Sequence, residues 1–363
     1  IHASGCLTYA EQIKEEFMRF CDIVGNDALK RTLVSMADSG RIPHAMLLYE
    51  NDGCGAVALA LAFLQYLNCR RRSGGEACGE CPSCRQMSKL IHPDVHFVFP
   101  VNKSSKVSGD KPTSDAFLTY WRQLVLDNPY FREDDLQEAL GIEGKKGEIA
   151  LQEAKSIISK MSLTAVEDGY KAVLCYLPEK MNPTAANKLL KLVEEPPEKT
   201  VFVFVTHAPE KMMQTVFSRC QSMRVLPLTK EEAVKVRGEE RPNEEFFPMV
   251  SSLLDCVARR DLLHALEVGE AAAALPSREK QKSFCTYLSS CLRRLFMTGQ
   301  GQDELAGVLP EERSFYQTAS ARFGAAFCMK VEAAIDRTVS LLDRNVNSKI
   351  LFCDLVDRIF VAI

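Results

Sequence analysis

The chain has 363 residues, 46% of them hydrophobic and 26% charged, with a formal net charge of −3. That length calls for two or three domains, the balance of apolar and charged residues gives them cores and excludes general disorder, and the charge excludes a global positive field, so any contact with nucleic acid has to be local or shared with partners. No run of eighteen uncharged apolar residues occurs, which argues against a membrane helix, and no charged stretch precedes an apolar one at the N-terminus as in a secretory leader.

Met18 heads "MRFCDIVGNDALKRTL" and reads as a start, leaving 1–17 as an N-terminal extension. Residues 22–40 predict a helix, with Ala28, Leu29, Leu33 and Met36 at helical spacing. "HAMLLY" (44–49) predicts a buried strand, "NDGCG" (51–55) a glycine turn and "AVALALAFLQYL" (56–67) a helix buried on most sides. "VHFVFPV" (95–101) predicts a second strand, and the polar residues 102–115 a loop. "FLTYWRQLVL" (117–126) reads as a short helix carrying Trp121, "GEIALQEAKSIISKMSL" as an amphipathic helix and "YKAVLCYL" (170–177) as a third strand.

Asn182 and Pro183 signal a helix start, a capping side chain followed by proline in the first turn. Ala186, Leu189, Leu190 and Val193 form its apolar face, and Pro196 and Pro197 stop it. "TVFVFVT" (200–206) is apolar throughout, as strands buried on both faces are. Strands alternating with helices predict an α/β domain with a mainly parallel sheet, ending near "RVLPL" (224–228). Beyond 228 the patterns are helical, with Phe284, Leu288, Leu292 and Leu295 on one stripe, which predicts a separate all-helical domain.

Of fourteen cysteines, ten are scattered in apolar contexts and read as reduced core residues of a cytoplasmic protein. The other four, Cys69, Cys78, Cys81 and Cys84, are spaced C-x8-C-x2-C-x2-C. Four thiolates suit a closed tetrahedral Zn²⁺ site, structural because no position is left for a substrate. A redox CxxC pair and a chance cluster of reduced thiols are the alternatives.

The turn after "AMLLY" resembles a damaged phosphate loop. A working one, G-x-x-x-x-G-K-[ST], cradles phosphates with backbone amides, reaches them with its Lys and holds Mg²⁺ with its hydroxyl. Here Gly53 and Gly55 occupy the turn, and Ala56 and Val57 stand where Lys and Ser/Thr belong. The third strand runs into Tyr176, Leu177 and Pro178 before Glu179, where an ATPase needs carboxylates for Mg²⁺. Read alone, the turn is only a glycine turn. Likewise Arg219, in "FSRCQ" (217–221), is on its own as readily a solvated surface residue.

Taken together, "FCDIVGNDALKRTL", "RIPHAMLL", the cysteine cluster, "HPDVHFVFP", "NPTAANKLLKLVEEPPEKTVFVFVT" and "SRC" resemble the clamp-loader branch of the AAA+ family, over most of 18–227. "RNVNSKILFCDL" is similar to the same family's collar. A zinc module beside a lost phosphate loop is the pattern of the delta-prime type. The resemblance implies an α/β AAA+ P-loop-type sheet domain (18–227) with an inserted zinc module at 69–84 and an insertion at about 102–148. A reduced lid or linker at 228–245 and an all-α collar domain at 246–363 would follow. The insertion is longer, and the lid shorter, than that pattern.

The resemblance further implies structural Zn²⁺ on Cys69, Cys78, Cys81 and Cys84. Gly53, Gly55, Ala56 and Val57 would be a degenerate phosphate loop that binds no ATP productively, and Thr206 would sit at the sensor position. Ser218, Arg219 and Cys220 would form an SRC motif whose arginine reaches the ATP of a neighbouring motor subunit. The implied chain has no ATPase of its own and works in the cytoplasm, away from membranes, as part of the replicative DNA polymerase holoenzyme. Its implied partners are the gamma/tau motor and delta subunits and, through the complex, the sliding clamp and primer-template DNA. Two readings compete: an active motor subunit of the same ring, and a zinc-ribbon nucleic-acid-binding protein whose Arg70, Arg71 and Arg72 contact phosphates.

Overall fold

The computed structural model describes residues 18–107, 109, 112–237, 244–302, 306, 308, 312–344 and 346–363; the extension at 1–17 and part of the 228–245 segment lie outside them. The chain divides into two compact units, Ile1–Glu240 and Arg241–Ile363.

The first unit holds a sheet of β1 (Ala45–Tyr49), β2 (Val95–Val98), β3 (Lys171–Tyr176), β4 (Thr200–Thr206) and β5 (Gln221–Arg224). Its order is β2-β3-β4-β1-β5, with every pairing parallel. Alternate strand residues feed opposite faces. Met46, Leu48, Phe97, Leu174 and Val203 share one core with α2 (Ala56–Asn68), while Leu47, Val173, Cys175, Phe202 and Phe204 share another with α6 (Leu151–Ser162) and α7 (Pro183–Glu194). All thirteen residues of α2 are buried, which is why its sequence is apolar on every side. The start of α7 is fixed by Asn182, whose Oδ1 accepts from the Ala185 amide at 2.8 Å.

Some boundaries differ from the pattern of apolar residues. The first helix, α1 (Asp27–Asp38), starts late because Gly25 and Asn26 take left-handed conformations with φ of 73° and 57°. β2 stops at Val98; Val101, past Pro100, makes only an isolated antiparallel bridge to Glu148. The polar segment before residue 115 does not stay on the surface throughout, since Ser114 is buried and exchanges hydrogen bonds with the Phe99 backbone at 3.0 Å.

Between β2 and β3 lie α4 (Leu118–Asp127), α5 (Glu133–Leu140) and α6; α3 (Pro82–Ser88) precedes β2. Trp121 of α4 is fully buried, stacked on Phe99 at 4.5 Å and edge-on to Phe131 at 5.4 Å. This packs the inserted segment against the carboxyl ends of β2 and β3. After β4 come α8 (Gln214–Phe217), then β5 and the helix α9 (Lys230–Arg237).

The second unit is helical: α10 (Phe247–Arg259), α11 (Leu262–Ala273), α12 (Arg278–Gly299), α13 (Arg313–Ser320), α14 (Ala325–Asp343) and α15 (Ser348–Val361). The stripe Phe284, Leu288, Leu292 and Leu295 is buried in its core. α11 and α15 approach closely at Gly269, where a Cβ would come within 2.9 Å of Val356 Cγ2.

Candidate functional site

Three constellations belong to the first unit. The four cysteine sulfurs lie within 4.8 Å of one another, near the ~3.8 Å separation that Zn–S bonds of about 2.3 Å give in a tetrahedron. Cys81 caps α3 and Cys84 sits in its first turn. Gly79, with φ of 73°, makes the turn between Cys78 and Cys81. Backbone amides already serve the sulfurs: Arg71 and Cys78 donate to Cys69 Sγ at 3.4 and 3.2 Å, and Cys81 donates to Cys78 Sγ at 3.4 Å. Such donors favour thiolate. Burial works against it and pushes Cys69 and Cys84 up, while the Cys81 and Glu80 amides and the neighbouring thiols bring Cys78 down to about 6. The cluster is therefore chemically fit for a closed Zn²⁺ site. The adjacent arginines all face acids of their own chain: Arg70 pairs with Glu167, Arg71 with Glu80 at 3.3 Å and Arg72 with Asp38 at 3.6 Å. These pairings offset the positive potential that a phosphate contact would use.

The second constellation occupies the carboxyl edge of the sheet, where open α/β folds bind their ligands. Gly53 and Gly55 take φ of 78° and 98°, and Gly55 caps α2. Ala56 and Val57 are buried and apolar, so neither a cation nor a hydroxyl points into the cleft at the first turn of α2. The Ala56 amide donates instead to Glu50 Oε2 at 2.7 Å. His207, just past β4, stands 3.5 Å from Glu50 and 3.4 Å from Asp52. Thr206 donates to Glu179 at 2.7 Å, and the His207 amide to its other oxygen at 3.1 Å. Tyr176 is buried beneath Phe131 and His207, at ring distances of 5.3 and 5.4 Å. The cavity lined by Glu50, Asn51, His207 and Arg224 has a volume of about 150 Å³, below the roughly 300–1,000 Å³ of ligand pockets.

Burial pushes the Glu50 carboxyl up, against the pull of His207 and the Ala56 amide. Burial lowers His207, but Asp52, Glu50 and Glu179 outweigh it and the net shift is upward from 6.5. A raised histidine contributes stability that is complete below its ordinary value and is lost as pH rises through the folded one. A raised carboxyl acts in the same direction. Unfolding midpoints in urea are thus expected to fall from about pH 6 to about pH 9, and His207→Gln is expected to flatten that slope. An equally steep slope in the variant would assign it elsewhere.

The third constellation lies on the opposite edge. Arg219 precedes β5, which pairs in parallel with β1 from Met46 onward, so it sits at the amino ends of the strands. β1 alone, at about 3.3 Å per residue, separates the two edges by roughly 16 Å. The Arg219 guanidinium is held by the Glu194 carboxylate and donates to Thr215 O at 2.6 Å and Ser218 Oγ at 3.3 Å. Cys220 is partly buried; its thiol donates to Val216 O at 3.3 Å, and burial pushes it up to about 12. Pro43, His44, Val193 and Glu194 join Ser218, Arg219 and Cys220 around one open groove.

Glu50, His207 and Tyr130, whose ring lies against Gly55 and whose phenol oxygen accepts from the Val24 amide at 2.8 Å, are parts of the carboxyl-edge site that motif reading missed. Glu50 had a signal, a lone acid between a buried strand and a glycine turn; Tyr130 and His207 had none.

The family described as "DNA polymerase III, delta subunit" matches residues 25–229, more than half of the chain. The DNA polymerase III subunit delta′ of Yersinia pestis is 32% identical over 190 residues, 52% of this chain and 44% of that protein. That of Haemophilus influenzae (strain ATCC 51907 / DSM 11121 / KW20 / Rd) is 25% identical over 314 residues, 85% of this chain and 78% of the relative. That of Escherichia coli (strain K12) is 27% identical over 202 residues, 56% and 48% of the two. The Yersinia and Escherichia matches thus span less than half the length of those relatives.

Proposed function

The chain belongs to the family of DNA polymerase III delta-prime subunits, and from that membership we propose that it is the non-hydrolysing subunit of a sliding-clamp loader. The observation that carries this reading is the division of labour across one sheet. The carboxyl edge, where an ATPase keeps its nucleotide, is filled by Glu50, His207 and Tyr176; it has no phosphate-loop lysine, and its Glu50 and Glu179 carboxylates are taken up by the Ala56 amide and by Thr206 and the His207 amide. The amino edge offers Arg219 in an open groove, too far away to serve the chain's own cleft.

In this role Arg219 is a trans-acting finger of an SRC motif with Ser218 and Cys220. It stabilises the charge that develops on a phosphoryl group held by the adjoining gamma/tau motor. The guanidinium exchanges the Glu194 carboxylate for phosphate oxygens, both of which can accept two parallel N–H bonds from its planar fork. Zn²⁺ on Cys69, Cys78, Cys81 and Cys84 is structural and keeps the 69–84 module folded. The helical unit serves as the collar that joins gamma/tau and delta, α9 is what remains of a lid, and the ring as a whole engages the clamp and primer-template DNA in the cytoplasm.

The isolated chain is expected to hydrolyse no ATP, because Ala56, Val57, Tyr176 and Leu177 offer nothing to phosphate or Mg²⁺. Mixed with motor and delta subunits, it should restore DNA-stimulated ATPase and clamp loading by at least about tenfold, a change of ~1.4 kcal/mol in barrier. Turnover by the pure chain that disappears on mutating residues 53–57 would instead identify a motor. Equal clamp loading by a ring prepared without this chain would remove the reading altogether.

A further inference from the structure

A nucleotide bound at a strand–glycine turn–helix junction sets its phosphates on the amides of the helix start and its base against the chain on either side. Here both positions are taken by the protein. The first-turn amide of α2 that would meet phosphate, Ala56, is bonded to the Glu50 carboxylate at 2.7 Å. The space beside the turn is filled by Tyr130, from the segment inserted between β2 and β3. Tyr130 is only 1% exposed. Its ring lies so close to Gly55 that a Cβ there would be 2.5 Å from Tyr130 Cε1 and 2.9 Å from Cδ1. Its phenol oxygen accepts from the Val24 amide at 2.8 Å, a bond that a purine ring nitrogen could accept equally well.

The residues around Tyr130 anchor it to each piece of the cleft. Asn128 Oδ1 accepts from the Tyr130 amide at 2.9 Å, an Asx turn that aims the ring inward, and Asn128 Nδ2 reaches Val236 O of α9 at 3.4 Å. Phe131 packs edge-on against Tyr176 at the end of β3. The Glu133 amide donates to both Asp52 oxygens at 3.2 Å, and its carboxylate pairs with Lys180.

We infer that residues 128–133 are an internal occupant of the nucleotide cleft, with the Tyr130 ring in the place of a purine and the Glu50 carboxylate in the place of a phosphate. The occupant joins the 24–26 turn, the glycine turn and α9, the parts that a bound nucleotide would bridge, and it excludes purine nucleoside phosphates from the chain. This occupancy is independent of any role of Arg219.

Hydrogen exchange and equilibrium binding on the full chain test it with three probes: adenosine, ADP and p-cresol, which is the tyrosine side chain as a free molecule. The wild-type chain should bind none of them. Tyr130→Ala should lose at least about tenfold of its protection at the Val24 amide, a local opening easier by ~1.4 kcal/mol, and should regain it with p-cresol or adenosine. ADP should bind Tyr130→Ala more weakly than adenosine does, and Glu50→Gln in addition should reverse that order. Binding of ADP by the wild-type chain would overturn the inference, as would a folded Tyr130→Ala that takes up neither ring and exchanges as the wild type does. If Tyr130→Ala does not fold, Tyr130→Phe decides: it should still exclude adenosine while its Val24 amide exchanges faster, and unchanged exchange there would overturn the inference.

Discussion

Arg219→Ala is expected to slow ATP hydrolysis at the adjoining motor site by about 10³-fold or more, the lower end of what arginine fingers contribute in GTPases, while folding and assembly stay nearly intact. The side chain is exposed and is held by polar contacts with Glu194, Thr215 and Ser218. A surface truncation of that kind costs about 0.5 kcal/mol or less. Its effect on turnover is large for a different reason: the guanidinium meets charge that exists only in the transition state. Arg219→Lys should also be impaired, since a point-charge ammonium lacks the planar fork that now grips the Glu194 carboxylate. Total ATPase of the ring should fall only in part, because its other sites draw on other subunits. The measurement is single-turnover hydrolysis and clamp loading by rings reconstituted with each variant. Wild-type rates from both variants, in rings of normal composition, would make Arg219 an ordinary surface residue.

The second large effect is expected at the cysteine cluster. Protein purified without chelator should carry one Zn²⁺ per chain, and Cys84→Ser should lose most of it. Cys84 is fully buried, and Cys69, Cys81 and Cys84 belong to the same apolar core as Leu64, Leu67, Met87 and Leu90. Without metal, repulsion between thiolates and the burial of unpaired thiols both act against this packing. Structural zinc is worth about 10–16 kcal/mol in isolated finger peptides. The loss should be smaller here, because α2 is buried on every side between the sheet and its neighbouring helices and would outlast the 69–90 segment. Elemental analysis, melting curves and limited proteolysis of wild type and Cys84→Ser provide the check. Metal-free wild-type protein with the melting point of the loaded form would exclude a structural zinc, and a disulfide formed reversibly between two of the four would favour the redox alternative.

Local patterns carried much of the architecture. The apolar runs of β1, β3 and β4, the all-apolar α2 and the Asn-Pro start and Pro-Pro stop of α7 are decided by neighbours within a few residues. So is the cysteine spacing, because glycine and proline turns bring sulfurs close over short stretches of chain. The missing lysine and hydroxyl at 56 and 57 were legible for the same reason: a phosphate loop is one contiguous segment.

Tertiary structure decided the rest. β5 reads as no strand, because its residues are mostly exposed and do not alternate; only the ladder offered by β1 makes it one. α5 is short and begins with three acids, Glu133, Asp134 and Asp135, and it is held by packing rather than by periodicity. Tyr130 meets Val24 across 106 residues, and His207 meets Glu50 because β4 lies beside β1. Nothing in residues 217–221 tells on which edge Arg219 emerges; the parallel register of β5 on β1 puts it at the amino ends. Helices, turns and thiol clusters follow from contacts a few residues apart. The filling of the cleft and the placing of Arg219 on the far edge are contacts between distant segments, which exist only once the sheet has set its strand order.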